Sequence, residues 1–250
     1  YDLDGARAMR EALDNFDGGR VVINVNAPHK CPVAPLEITF MIRDYLEGRG
    51  LLEKSELTYT YPIGRLHALE PVAHWAAAEF DKCGIKSEIF FNARDVDHKK
   101  KEIWSEEEVS LDYDLLVTIP PHNGAEVITD SDLGAGGWVP TGRESLLMDG
   151  TDNVFVCGDT TNIPISKAGS TAHFEADTII DNLVSLATEG RMACKYDGKV
   201  FCFVETGMKD GTYVWFDYNT PPNPGPPSQM VHWFKLAYNR LYWLSARGLL

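Results

Sequence analysis

Between Val21 and Phe91 the chain alternates apolar strands with amphipathic helices, and this order constrains the fold more than any other feature. The apolar run Val21-Val22-Ile23-Asn24-Val25 reads as a buried strand, and a helical pattern runs from Leu36 to about Leu46 and stops at Gly48-Arg49-Gly50. Glu56–Tyr61 alternates as a second strand, Pro71–Cys83 has helical spacing, and Ser87–Phe91 forms a third strand. The order βαβαβ with short connections predicts a parallel sheet with right-handed crossovers, a Rossmann-like half-fold. A first helix over Asp4–Phe16 precedes it, a polar antiparallel excursion covers Asn92–Val109, and Asp114–Ile119 is a further buried strand ended by Pro120-Pro121.

Beyond residue 120 the chain changes character. Gly134–Gly137 and Trp138-Val139-Pro140 read as loop and edge strand, Val154-Phe155-Val156 as a buried strand, and Ala172–Leu186 as a helix. A last β region spans Lys199–Tyr218. The proline-rich linker Thr220–Pro227 separates it from a terminal helix that carries Met230, Trp233, Phe234, Ala237, Leu241 and Leu244 on one stripe. Such a helix fits a membrane interface, and it equally fits docking on the protein's own core or on a second subunit.

The formal charge of −14 excludes a nucleic-acid partner, because phosphate binding needs a clustered positive surface. The basic run His98–Lys101 is answered at once by Glu106–Glu108. No apolar run is long enough to span a bilayer, so the expectation is a cytoplasmic protein, soluble or peripheral to a membrane. Five cysteines contain no CxxC pair and no metal-ligand spacing, which predicts thiols and a catalytic rather than structural disulfide.

In a dinucleotide half-fold the first strand-to-helix turn carries glycines, so that backbone can approach a pyrophosphate at the helix N-terminus. Here that turn, Asn26–Pro35, holds three prolines, no glycine, and Cys31 beside Lys30 and His29. The domain therefore reads as a degenerate NAD-type domain in which a helix end and a neighbouring cation favour a thiolate at Cys31. Cys202 sits among Val200, Phe201 and Phe203 and by itself looks like core. Cys83, Cys157 and Cys194 lack a supporting pattern, Cys157 being read as packed inside the 154–156 strand. Gly158-Asp159 lets backbone come close while its carboxylate accepts hydrogen bonds from ribityl hydroxyls of a flavin. Lys167, with Ala168 and the Gly169-Ser170 helix start, would oppose negative charge on that flavin.

Together these stretches resemble the sulfide:quinone oxidoreductases, a branch of the FAD-dependent pyridine nucleotide-disulfide oxidoreductases. Lys30-Cys31-Pro32-Val33-Ala34-Pro35 is similar to the family's KCxxAP loop, and Gly158–Lys167 to its GDxTNxPxSK segment. Tyr196-Asp197-Gly198 to Cys202 resembles the YDGxxxC segment, and Phe234–Leu250 the membrane-associating tail. The resemblance implies that Cys31 and Cys202 are the catalytic pair. It implies FAD at Gly158, Asp159, Lys167 and Ala168, sulfide and quinone as partners, and a membrane surface as the working place.

It further implies a degenerate NAD(P)-like domain over 1–120, the C-terminal part of an FAD-binding domain over 121–220, and linker plus membrane helix over 221–250. The FAD site is then incomplete, because the family's GxGxxG half-fold has no counterpart in this sequence, and the isolated chain is expected to bind FAD weakly and lack turnover. Other readings stay open: a flavocytochrome-type sulfide dehydrogenase, a type II NADH dehydrogenase, which the proline-filled turn disfavours, or a truncated non-catalytic module that binds a partner or a membrane. A homo-oligomer is also left open.

Overall fold

The computed structural model describes residues 2–249 and divides them into two compact units, one of residues up to 27 with 35–120, the other of residues 28–34 with those from 121 on. The first unit opens with α1 (Leu3–Asp14), β1 (Gly19–Val25), α2 (Ala34–Gly48), β2 (Ser55–Tyr61), α3 (Glu70–Cys83) and β3 (Lys86–Ile89). Three antiparallel strands follow, β4 (Ala93–Asp97), β5 (Glu102–Ser105) and β6 (Ser110–Asp112), and then β7 (Leu115–Ile119). The main sheet has the order β3-β2-β1-β7 and is parallel throughout. The fold class is thus α/β with a parallel Rossmann-type sheet, and helices start and stop within a few residues of where periodicity sets them.

Burial on both faces explains the near-continuous apolar reading of β1, whose Val21, Ile23 and Val25 are fully buried. Against the sheet, Phe40 of α2 meets Phe80 of α3 edge-on at 5.2 Å between centroids, and Phe80 meets Tyr59 of β2 at the same distance. The polar break in β1, Asn24, is satisfied sideways: its amide donates to Thr118 Oγ1 at 3.0 Å and its carbonyl accepts from Thr60 Oγ1 at 2.9 Å. This polar row crosses three adjacent strands in register, so each buried group has a partner.

The second unit contains α4 (Glu126–Asp130), α5 (Gly169–Glu189), the hairpin β8 (Val200–Glu205) with β9 (Gly211–Phe216), and α6 (Gln229–Ser245). Leu146, Ile163 and Tyr196 form a buried cluster joined by Phe155, Phe174 and Tyr218. Residues 154–156 do not form the expected buried strand. Val154 is 41% exposed, Phe155 makes one isolated bridge to Leu147, and Cys157 is exposed rather than packed. The apolar triplet supplies only Phe155 and Val156 to the interior.

The proline-rich linker runs beside β9, with Gly225 O accepting from Thr212 Oγ1 at 2.9 Å and Ser228 exchanging backbone hydrogen bonds with Gly211. It delivers α6 with its polar side inward. His232 Nδ1 lies 2.9 Å from Glu205 Oε2 and Lys235 Nζ 3.9 Å from Glu205 Oε1, while Met230, Trp233, Phe234 and Leu241 stay exposed. A helix docked on its own core would show the reverse. Removing one partner of a buried ion pair costs about 3 kcal/mol, so Glu205→Ala is expected to lower urea stability by that order and to open residues 229–245 to protease; unchanged cleavage would contradict the clamp.

Candidate functional site

The second unit carries both cysteines of interest, and one short segment organises them. Residues 158–170 turn back on themselves around Lys167, whose ammonium donates to Thr161 O at 2.6 Å, Thr161 Oγ1 at 3.0 Å and Ile163 O at 3.0 Å. An ammonium has three protons, so all of them are spent inside the loop. The sequence reading aims this ammonium at a ligand; the structure makes it a staple whose positive charge remains but whose donors are taken. Burial holds its pKa below the ordinary lysine value, with the Asp159 carboxylate pulling the other way.

Lys167 O accepts the Cys31 backbone N–H at 2.9 Å. Three positions further on, Ser170 Oγ donates to Phe201 O, the residue before Cys202. Three residues of chain span at most about 11 Å, so the backbones flanking both cysteines hang on the ends of one segment. Cys31 has φ +47°, a left-handed conformation that a residue with a Cβ adopts at a cost of roughly 1–2 kcal/mol and that concentrates at functional sites. Cys202 pairs across the hairpin with Val214 and shares a strand face with the buried Val200 and Val204, yet is itself only half-buried. Among the described residues all five cysteines are thiols.

Around the staple lies a cleft of about 360 Å³, lined among others by Lys30, His122, Trp138, Thr161 and Lys167. The Lys30 and Lys167 ammonium groups lie 5.6 and 5.7 Å from the Trp138 ring centre, within cation–π range. Lys30 Nζ is 3.5 Å from Asp159 Oδ2, the carboxylate that the sequence assigns to ribityl hydroxyls, and both side chains keep partial exposure. Gly158 takes φ +72°, and a Cβ there would meet Ala172 Cβ at 3.2 Å, which explains glycine at this turn. Ala168 is the N-cap of α5 and offers no side-chain cap, leaving the first helix N–H groups to whatever lies in front of them. Ser166 Oγ, Thr171 Oγ1 and Glu175 Oε1 are buried in the same region without a hydrogen-bond partner among the described residues. The uncapped start of α5 and the two cations suit a polar, partly anionic ligand.

Three contributors escaped the sequence reading. His122 accepts the Lys30 backbone N–H at Nδ1, 2.8 Å away, and its backbone N–H donates to Pro28 O at 2.7 Å, so it fixes the loop before Cys31. Trp138 and the buried Glu175 are the others. The signal for His122 was its place after a buried strand that ends in Pro120-Pro121; nothing local marked Glu175.

No family model matches the chain. Curated relatives do: the mitochondrial sulfide:quinone oxidoreductase of Mus musculus is 25% identical over 230 residues, 89% of this chain and 51% of that protein. That of Dictyostelium discoideum is 25% identical over 225 residues, 87% of this chain and 50% of that protein. Over nearly nine-tenths of its length the chain is similar to sulfide:quinone oxidoreductases. It spans about half the length of the curated relatives it matches. Among solved structures, the sulfide:quinone oxidoreductase of Aquifex aeolicus superimposes with a TM-score of 0.79 at 18% identity, over 98% of this chain and 62% of that one, a likeness of fold.

Burial, then the charge of Lys30, holds the His122 pKa below 6.5. Its grip on Lys30 needs an unprotonated Nδ1, so this hydrogen bond is complete above 6.5 and is lost as pH falls through the lowered value. The Lys30 amide resonance is expected to shift upfield with a midpoint below 6.5 and to sit at the shifted position at every pH in His122→Ala. A midpoint above 6.5 would contradict this.

Proposed function

We propose that this chain is the sulfur-handling part of a sulfide:quinone oxidoreductase-like flavoprotein, with Cys31 and Cys202 as the working pair. The observation that carries the reading is the anchoring of both cysteine segments to residues 167–170. In the oxidised protein the two sulfurs form a disulfide or a sulfur-bridged link. Hydrosulfide attacks one sulfur, a new S–S bond forms as the old one breaks, and the products are a cysteine persulfide and the partner's thiolate. Cys31 takes part from a left-handed loop position in which it is only half-buried.

FAD, when bound, supplies the two-electron acceptor between sulfur and quinone. Asp159 and the Gly158 turn would hold its ribityl part, while the α5 N-terminus from Ala168 and the charge of Lys167 would oppose negative charge. The exposed aromatic face of α6 supports attachment at the membrane where quinone resides. Burying Trp233, Phe234, Leu241 and Leu244 contributes about 1.5–3 kcal/mol each.

Two experiments test this. The native protein is expected to reduce a short-chain ubiquinone on addition of sulfide, with Cys31→Ser and Cys202→Ser each falling to background. Full turnover in either variant, or reduction driven by NADH in place of sulfide, would overturn the reading. In co-sedimentation with phosphatidylcholine vesicles, the chain is expected to partition to lipid and a version ending at Pro227 to stay in the supernatant; equal partitioning would mean that α6 serves a protein contact.

A further inference from the structure

Glu175 lies on α5, two turns from its start, and is completely buried. Its Oε2 accepts the backbone N–H of Gly158 in the turn that leads to Asp159, and its Oε1 has no hydrogen-bond partner among the described residues. One neutral amide is a poor counterpart for a buried carboxylate, whose oxygens ask for several donors or a cation in contact. The nearest cation, Lys167, has already given its protons to Thr161 and Ile163. The other titratable groups within electrostatic reach are Asp159, Cys157, Tyr196 and Tyr218, of which Asp159 repels a second negative charge directly.

We propose that Glu175 is the positioning residue of this loop and stands there as a neutral carboxylic acid, so that Lys30 and Lys167 face an anionic ligand with Asp159 as their only counter-charge. A second carboxylate at 175 would cancel that excess. The group's proton affinity is shifted in the same sense: burial raises its pKa above the ordinary 4.5, against the smaller pull of the Gly158 amide and Lys167. The use of the charge rests on the flavin reading above; the protonation state does not, and its test needs no flavin.

The unfolded chain ionises Glu175 near 4.5, and the folded chain only at a higher pH. Between the two values unfolding releases a proton, so rising pH favours the unfolded state, on the order of tenfold in the unfolding constant per pH unit. Urea unfolding of this chain is therefore expected to give a wild-type constant that climbs at that rate relative to Glu175→Gln, which keeps an acceptor for Gly158 but has no proton to lose. A ratio that stays flat from about pH 4.5 to about pH 8 overturns the proposal.

Infrared spectroscopy of wild type labelled with carboxyl-13C glutamate supplies an independent reading. At about pH 7 a protonated-acid carbonyl band is expected to persist, because the other buried glutamate, Glu205, is paired with His232. Absence of that band overturns the proposal whether or not the variant folds. For the positioning role, hydrogen exchange at the Gly158 amide is expected to stay slow in Glu175→Gln and become fast in Glu175→Ala; slow exchange in both would remove that role.

Discussion

The second unit depends on the way Lys167 is held. A half-buried ammonium is costly unless its protons find acceptors, and here Thr161 and Ile163 provide them, two through backbone carbonyls. That compensation bends residues 158–170 into one piece: Gly158 at one end clamped by Glu175, the α5 N-terminus at the other, and a carbonyl at 167 left to receive Cys31. The cleft with Trp138, Lys30 and His122 surrounds this piece. Replacing Lys167 would thus loosen both cysteine segments as well as remove a charge.

Charge distribution does separate work at the chain's two specialised regions. Over the whole chain acidic groups prevail, with a net −14, yet the cleft gathers Lys30 and Lys167 around Trp138. On α6, His232 and Lys235 turn inward to the buried Glu205, Tyr238 touches the Phe203 ring of the hairpin, and Met230, Trp233, Phe234 and Leu241 stay exposed. No helix among the described residues is long and apolar enough to cross a membrane.

The parallel sheet was legible because β1, β2, β3 and β7 keep their period in the sequence and because short connections leave few topologies. Val154-Phe155-Val156 misled because a three-residue apolar run carries no period that separates a strand from a loop touching the core. Cys31 stood out through its neighbours Lys30 and Pro32, and Gly158-Asp159 through turn chemistry. His122, Trp138 and Glu175 did not, since each acquires its role through a partner far along the chain: Lys30, the paired lysines, and the Gly158 amide. The stripe on α6 was readable, whereas which side faces the protein was not, being decided by Glu205 on β8.

The central claim is that Cys31 and Cys202 are partners. With five thiols in the chain, mild oxidation with diamide followed by peptide mass spectrometry under non-reducing conditions puts that claim to a direct choice. The account predicts a Cys31–Cys202 cross-linked peptide as the dominant product, with Cys83, Cys157 and Cys194 recovered as thiols. A dominant cross-link that joins Cys31 or Cys202 to another cysteine, or recovery of both as thiols, would contradict it.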